Sequence, residues 1–195
     1  MLSMELREMF IDENNIKLGV NAVSVVEDPA IESNFITLKE DNKIELAEVS
    51  KERRILLGAA LIPNKPILRI ENGKEYYIFF SKETIAKVAL MFAKNKYSDQ
   101  VTEEHEKPVK GMTIFESWLT EDKEKDKSAF YGLDVPVGTW CISMKADNDD
   151  IYNLAKQGKI KGFSIEGYFS DKVEKKELSR EDEEVKILSE IMAML

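Results

Sequence analysis

The chain has 195 residues, of which 43% are hydrophobic; this suits one compact domain with a buried core and excludes a wholly disordered chain. Its net charge of −9 argues against binding to a nucleic-acid backbone, and no apolar run approaches the roughly 20 residues of a membrane span. The first residues lack the basic and apolar pattern that predicts a secretory signal.

Cysteine and histidine occur once each, which limits the possible chemistry. Cys141 has no partner for an internal disulfide, and its apolar neighbours predict a buried core residue rather than a nucleophile. His105 is the only imidazole, so a zinc site built from histidines and cysteines is excluded. We therefore expect no metal and no cofactor, and any acid–base role of imidazole falls on His105.

The first half of the chain predicts mostly strands. Residues 16–26 are rich in β-branched side chains and predict a strand that ends before Pro29. The apolar run 56–61 predicts a second strand, and residues 67–80 contain Asn-Gly between two apolar runs, which predicts a β-hairpin. Ser81 can then cap a helix, because apolar residues follow it at helical spacing.

The second half alternates strands with one further helix. Strands are predicted over 113–119, 130–137, 140–144 and 161–169. The helix begins at Asp147 or Asn148, either of which can cap it, and it ends at Gly158. Strands with a few intervening helices predict an α+β fold rather than a doubly wound parallel sheet.

The charge distribution predicts how the chain is divided. Residues 1–170 are expected to form the main domain, within which residues 36–54 form an exposed connection. Residues 171–195 are expected to form a charged tail, and the capping-box pattern at 179–182 predicts a terminal helix in it.

Ser164 is the candidate nucleophile because glycines flank it on the last predicted strand, at positions 162 and 167. Glycine lets another backbone, such as a substrate peptide, approach closely. A serine hydroxyl needs a nearby base, for which His105 is the only imidazole, and we expect the two residues on neighbouring strands. The backbone amides of Ile165 and Glu166 can supply an oxyanion hole.

Residues 102–169 resemble the prohead proteases of tailed phages, which are relatives of the herpesvirus assemblin proteases. The resemblance is carried by residues 103–108 around His105, by strands over 113–118 and 130–135, by the helix that ends at Gly158, and by residues 162–167 around Ser164. It implies a mainly antiparallel β-sheet, closed into a barrel and surrounded by helices. Residues 19–30 are similar to a motif that usually follows the serine; here it comes first, as in the XkdF-like subfamily, which implies a circularly permuted fold.

The resemblance also implies a third catalytic residue beside the imidazole. Assemblins use a second histidine, which this chain lacks, and phage relatives use an acid. The similar position here holds Asn21, which could orient the imidazole by hydrogen bonding but could not stabilise its charged form. Glu116 and Glu27 are alternative acids.

The implied function is that of a serine endopeptidase of procapsid maturation. Its substrates would be the phage scaffold and major capsid proteins, and the protease itself, inside the procapsid that assembles in the host cytoplasm. The resemblance implies neither a nucleic-acid nor a membrane partner, and a homo-oligomer is a further expectation. The alternative is a catalytically inactive scaffold or assembly protein that retains the protease fold.

Overall fold

Twelve strands and three helices make up the described part of the computed structural model, which covers residues 5–11, 18–31, 36–38 and 53–174. The strands are β1 Leu6–Phe10, β2 Gly19–Val26, β3 Ile36–Leu38, β4 Ile55–Leu61, β5 Ile67–Glu71, β6 Lys74–Phe80, β7 Val101–Glu103, β8 Lys107–Pro108, β9 Met112–Leu119, β10 Trp140–Ala146, β11 Gly162–Tyr168 and β12 Ser170–Glu174. The helices are α1 Lys82–Lys94, α2 Lys127–Phe130 and α3 Asp149–Lys156. None of these helices is long and apolar enough to cross a membrane.

The strands form three four-stranded sheets. Their orders are β12-β1-β6-β5, β3-β4-β10-β9 and β11-β2-β7-β8. Pairing is antiparallel except between β1 and β6 and between β2 and β7, which are parallel. The predicted α+β class is confirmed, but no sheet closes into a barrel within the described residues.

Local sequence signals produced several of these elements as predicted. Asn72 and Gly73 connect β5 to β6 with φ angles of 51° and 75°, the positive values that a tight type I′ hairpin requires. Ser81 caps α1 by accepting a hydrogen bond from the Thr84 amide. Asn148 caps α3 by accepting from the Ile151 amide.

The core lies around the neighbouring strands β4 and β10, each of which has six of its seven residues buried. Trp140, Cys141 and Ile142 are fully buried there between β4 and β9. Phe92 of α1 packs edge-on against the Trp140 ring, with 5.4 Å between the ring centroids. The prediction of a buried core cysteine is therefore confirmed.

The strand predicted over 130–137 is wrong. Phe130 ends the short helix α2, and the chain from 131 to 137 is irregular. The Asp126 carboxylate starts this helix by accepting from the Ser128 amide, and Gly132 follows it with a φ of 81°. A local capping interaction thus outweighs the strand propensity of these residues.

Two predicted segments lie largely outside the described residues. Of the expected exposed connection, β3 and residues 53–54 are described, and β3 pairs with β4. Of the expected tail, residues 171–174 are described and belong to β12, which pairs with β1. The predicted terminal helix lies outside the described residues.

Candidate active site

Ser164 lies on β11, whose two faces differ in chemistry. Successive side chains of a strand point to opposite faces, so Phe163 and Ser164 point in opposite directions. Phe163 is fully buried in the core, whereas Ser164 retains 8% exposure. Glu166, two residues further on, lies on the Ser164 face.

The neighbouring strands extend this face with short polar side chains. Ser24 of β2 pairs with Ser164 of β11, and Thr102 of β7 pairs with Ser24 on its other side. Because directly paired residues share a face, Ser164, Ser24 and Thr102 form one row across the sheet. We call these three residues and Glu166 the polar face.

His105 lies in the tight turn that joins β7 to β8. Glu104 and His105 have φ angles of 49° and 59°, and the Glu106 amide donates to the Glu103 carbonyl at 3.0 Å. Consecutive residues with positive φ are the signature of a type I′ turn, which glycine and asparagine usually occupy. The structure therefore places the imidazole on a backbone of uncommon conformation, as often occurs at functional sites.

The fully buried hydroxyl of Ser24 holds this turn against the sheet. It accepts a hydrogen bond from the His105 amide at 2.9 Å and donates one to the Thr102 carbonyl at 3.3 Å. The Glu104 amide also donates to the Val25 carbonyl at 3.2 Å. These bonds fix the position of the His105 backbone relative to β2, and hence relative to Ser164.

The imidazole meets a carboxylate on the polar face. His105 Nδ1 lies 3.3 Å from Glu166 Oε1, and the Thr102 hydroxyl donates to that same oxygen. The His105 side chain is 42% exposed and that of Glu166 is 28% exposed, so the pair is open to solvent on one side. A carboxylate on Nδ1 orients the ring and leaves Nε2 available for proton transfer.

Ser164 and His105 share this face without a direct bond. Strand β2 lies between β11, which carries Ser164, and β7, which leads into the turn with His105. The prediction that the two residues lie on neighbouring strands is therefore wrong, because one strand separates them. Within the described residues the Ser164 hydroxyl forms no hydrogen bond with His105. Such contacts are often long without substrate and tighten when it binds.

None of the three candidates for the third residue contacts His105 among the described residues. Asn21 is exposed on β2 and lines a separate cavity of about 620 Å³ with Asn95 and Tyr97. The Glu27 carboxylate lies 3.8 Å from Lys161 Nζ. The residue that does contact the imidazole is Glu166, for which the sequence predicted only a backbone role.

Glu116 belongs to a different cluster, on β9. Its carboxylate pairs with Lys127, whose ammonium also lies 3.4 Å from the Ser143 hydroxyl. Burial raises the pKa of Glu116, but hydrogen bonds from Lys127 and Ser143 outweigh it and bring the pKa below the ordinary value. Ser143 is fully buried, so this serine–lysine cluster cannot meet a peptide substrate.

Cys141 is unsuited to nucleophilic attack. Burial raises the pKa of its thiol to about 12, and the nearby Asp126 carboxylate acts in the same direction. A fully buried thiol with such a pKa carries no thiolate at neutral pH.

The predicted oxyanion amides belong to an edge strand. Within the described residues β11 has only β2 as a hydrogen-bonded neighbour. Successive amides of an antiparallel strand alternate between its two sides, so one of the Ile165 and Glu166 amides points away from β2. That amide is available to an oxyanion.

Comparison of the sequence with known protein families gives one match. Residues 43–174 match a family model described as "Putative phage serine protease XkdF". The searches of curated proteins and of solved structures found no match. The matched segment contains His105, Ser164 and Glu166, whereas Ser24 precedes it.

Proposed function

The chain belongs to the phage serine protease family XkdF, and from that premise we propose that it is an endopeptidase with Ser164 as nucleophile and His105 as general base. The family description supports a serine protease role in phage. The observation that carries the assignment of residues is the His105 Nδ1–Glu166 contact of 3.3 Å, on the sheet face that bears Ser164.

The mechanism follows from that contact. Ser164 Oγ attacks the peptide carbonyl carbon while His105 Nε2 takes its proton, and Glu166 stabilises the imidazolium formed. An outward-facing amide of β11 binds the oxyanion. The imidazolium then protonates the leaving amine, and water hydrolyses the acyl-enzyme by the same proton transfers in reverse order.

The biological setting is part of the proposal. The resemblance to prohead proteases supports procapsid maturation, in which the substrates are the scaffold and major capsid proteins and the protease itself. The proposed setting of the reaction is the interior of the procapsid that assembles in the host cytoplasm. A circularly permuted relationship to the assemblin proteases, and a homo-oligomer, belong to the same proposal.

Co-expression of the chain with the scaffold and major capsid proteins of the same phage tests this function. We expect the wild-type chain to cleave at least one of them and Ser164→Ala to cleave none. Ser170→Ala is the matched control, because Ser170 lies on β12, in a different sheet from the polar face, and should leave cleavage unchanged. Equal cleavage by wild type and Ser164→Ala would contradict the proposal.

A non-catalytic scaffold protein is the second candidate function. The missing Ser164–His105 hydrogen bond among the described residues favours it. Labelling with a fluorophosphonate probe separates the two candidates, since only an activated serine reacts rapidly. Labelling of Ser164 in assembled particles supports the peptidase. The scaffold function is supported if the particles are neither labelled nor cleaved and their assembly still requires the chain.

A further inference from the structure

Strand β6 carries apolar side chains on both of its faces. Its residues 76–80 read Tyr-Tyr-Ile-Phe-Phe, a continuous apolar run. Such a run is typical of a strand that is covered on both sides, whereas a strand with one face in water alternates apolar and polar residues. Ile78 and Phe80 are buried in the core, so Tyr77 and Phe79 point to the opposite face.

The neighbouring strands extend this second face. Tyr77 pairs with Leu6 of β1 on one side and with Leu68 of β5 on the other, so the three side chains form a row across the sheet. Ile70, two residues after Leu68, lies on the same face. Ile70 is 67% exposed and Leu68 is 44% exposed. We call Leu6, Leu68, Ile70, Tyr77 and Phe79 the outer apolar face.

The outer apolar face is separate from the core. Met9 of β1 and Tyr76 of β6 pack against the core, whereas none of the five residues of the outer apolar face does so among the described contacts. Glu8, paired with Phe79, and Glu75, paired with Ile70, border it. A contiguous apolar surface with a polar border marks a place where another element or molecule binds.

The chain itself continues from the border of this face. Glu174, the last residue of β12, pairs with Leu6 and so lies at the end of the Leu6–Tyr77–Leu68 row. Residues 175–195 follow it and lie outside the described residues. Their sequence predicts a helix that begins at the capping box 179–182. The apolar residues at helical spacing in this segment are Val185, Leu188, Met192 and Leu195.

The dimensions of the sheet suit this segment. Four strands about 4.8 Å apart place β5 about 14 Å from β12. A helix over residues 180–195 would be about 24 Å long, enough to cross the sheet. A helix packed on a sheet is a common layer arrangement, and a tethered segment has a higher effective concentration than a separate molecule. These arguments favour the chain's own segment over a second copy.

We propose that residues 175–195 cover the outer apolar face, with the apolar stripe around Leu188 against Tyr77, Phe79 and Ile70. The apolar run of β6 then has a cover on each side, as its sequence predicts. This inference goes beyond the proposed peptidase function and does not depend on it, because the outer apolar face belongs to a different sheet from Ser164.

Photo-cross-linking from position 70 tests which molecule covers the face. Ile70→p-benzoylphenylalanine is made in the Ser164→Ala chain, so that self-cleavage cannot remove the segment. Equal amounts of ¹⁵N-labelled and unlabelled chains are mixed and irradiated, and mass spectrometry then identifies the cross-linked peptides. We expect cross-links to residues 175–195 within one copy. Leu90→p-benzoylphenylalanine is the control, because Leu90 is 53% exposed on α1 and should give no cross-link to that segment.

Two further variants test the contact from the side of the segment. Leu188→Asp should reduce the cross-link from position 70 by about ten-fold or more, because it brings a charge into an apolar contact. Ala193→Asp introduces the same charge on the opposite side of the predicted helix and should leave the cross-link unchanged. Circular dichroism shows whether each variant is folded.

Three results would overturn the proposal. The first is a cross-link that joins a labelled copy to an unlabelled one, which would assign the face to a second copy of the chain. The second is the lack of any cross-link between position 70 and residues 175–195 in the folded chain. The third is an equal yield of that cross-link in Leu188→Asp and Ala193→Asp.

Discussion

At the residue scale, the candidate site depends on Glu166. The side chain reaches past β2 to the imidazole, and the Thr102 hydroxyl donates to the oxygen that meets Nδ1. A strand residue two positions after the nucleophile shares its face, so the sequence did contain the signal for Glu166. The sequence alone could not predict that Glu166 contacts His105, because the position of His105 depends on how β7 and β2 pair.

Glu166→Gln tests this role. The amide keeps the length of the side chain but removes the charge that stabilises imidazolium, so we expect kcat to fall by about 100-fold or more with KM nearly unchanged. Steady-state peptide cleavage measures both constants. Glu106→Gln, at an exposed position next to His105, is the control and should cleave at the wild-type rate. A Glu166→Gln variant as active as that control would remove Glu166 from the mechanism.

At the element scale, the site depends on close contact between β11 and β2. The pairing shifts register between Glu166 and Gly167, and a Cβ on Gly167 would overlap the Gly19 carbonyl oxygen. Only glycine fits this close approach of two backbones. The bulge therefore lies directly after the residue that binds His105.

Gly167→Ala should separate the two strands at this point. We expect the free energy of unfolding to fall by about 1–3 kcal/mol because the backbone must shift to admit the methyl group, and we expect cleavage to fall with it. Urea denaturation gives the stability. Gly73→Ala is the comparison, because it replaces a glycine of positive φ in the distant β5–β6 turn. We expect this variant to lose stability, while its folded fraction cleaves at the normal rate. Normal cleavage and stability in Gly167→Ala would show that the contact is dispensable.

Local and long-range elements differ in how well the sequence predicts them. The β5–β6 hairpin, α1, α3 and β11 follow from turn residues, caps and periodicity within a few positions. β1 was not predicted, because its strand identity depends on distant partners, as in the pairing of Leu6 with Glu174. The site combines both kinds of information: β11 and its serine are local signals, whereas the imidazole–carboxylate contact requires three strands from separate parts of the chain.

At the scale of the whole molecule, the polar face is assembled from segments far apart in sequence. β2 supplies Ser24, β7 and its turn supply Thr102 and His105, and β11 supplies Ser164 and Glu166. These three strands belong to one sheet, and β4 of a second sheet contacts β11. The candidate site therefore depends on the pairing of three strands that are remote from one another along the chain.

The central claim is that Ser164, His105 and Glu166 act as one catalytic unit, and a crystal structure of the chain after reaction with a fluorophosphonate tests it most directly. The account predicts phosphorus bonded to Ser164 Oγ, with His105 Nε2 facing the adduct and Nδ1 still bonded to Glu166. An adduct on another residue, or an imidazole that points away from the modified serine, would contradict it.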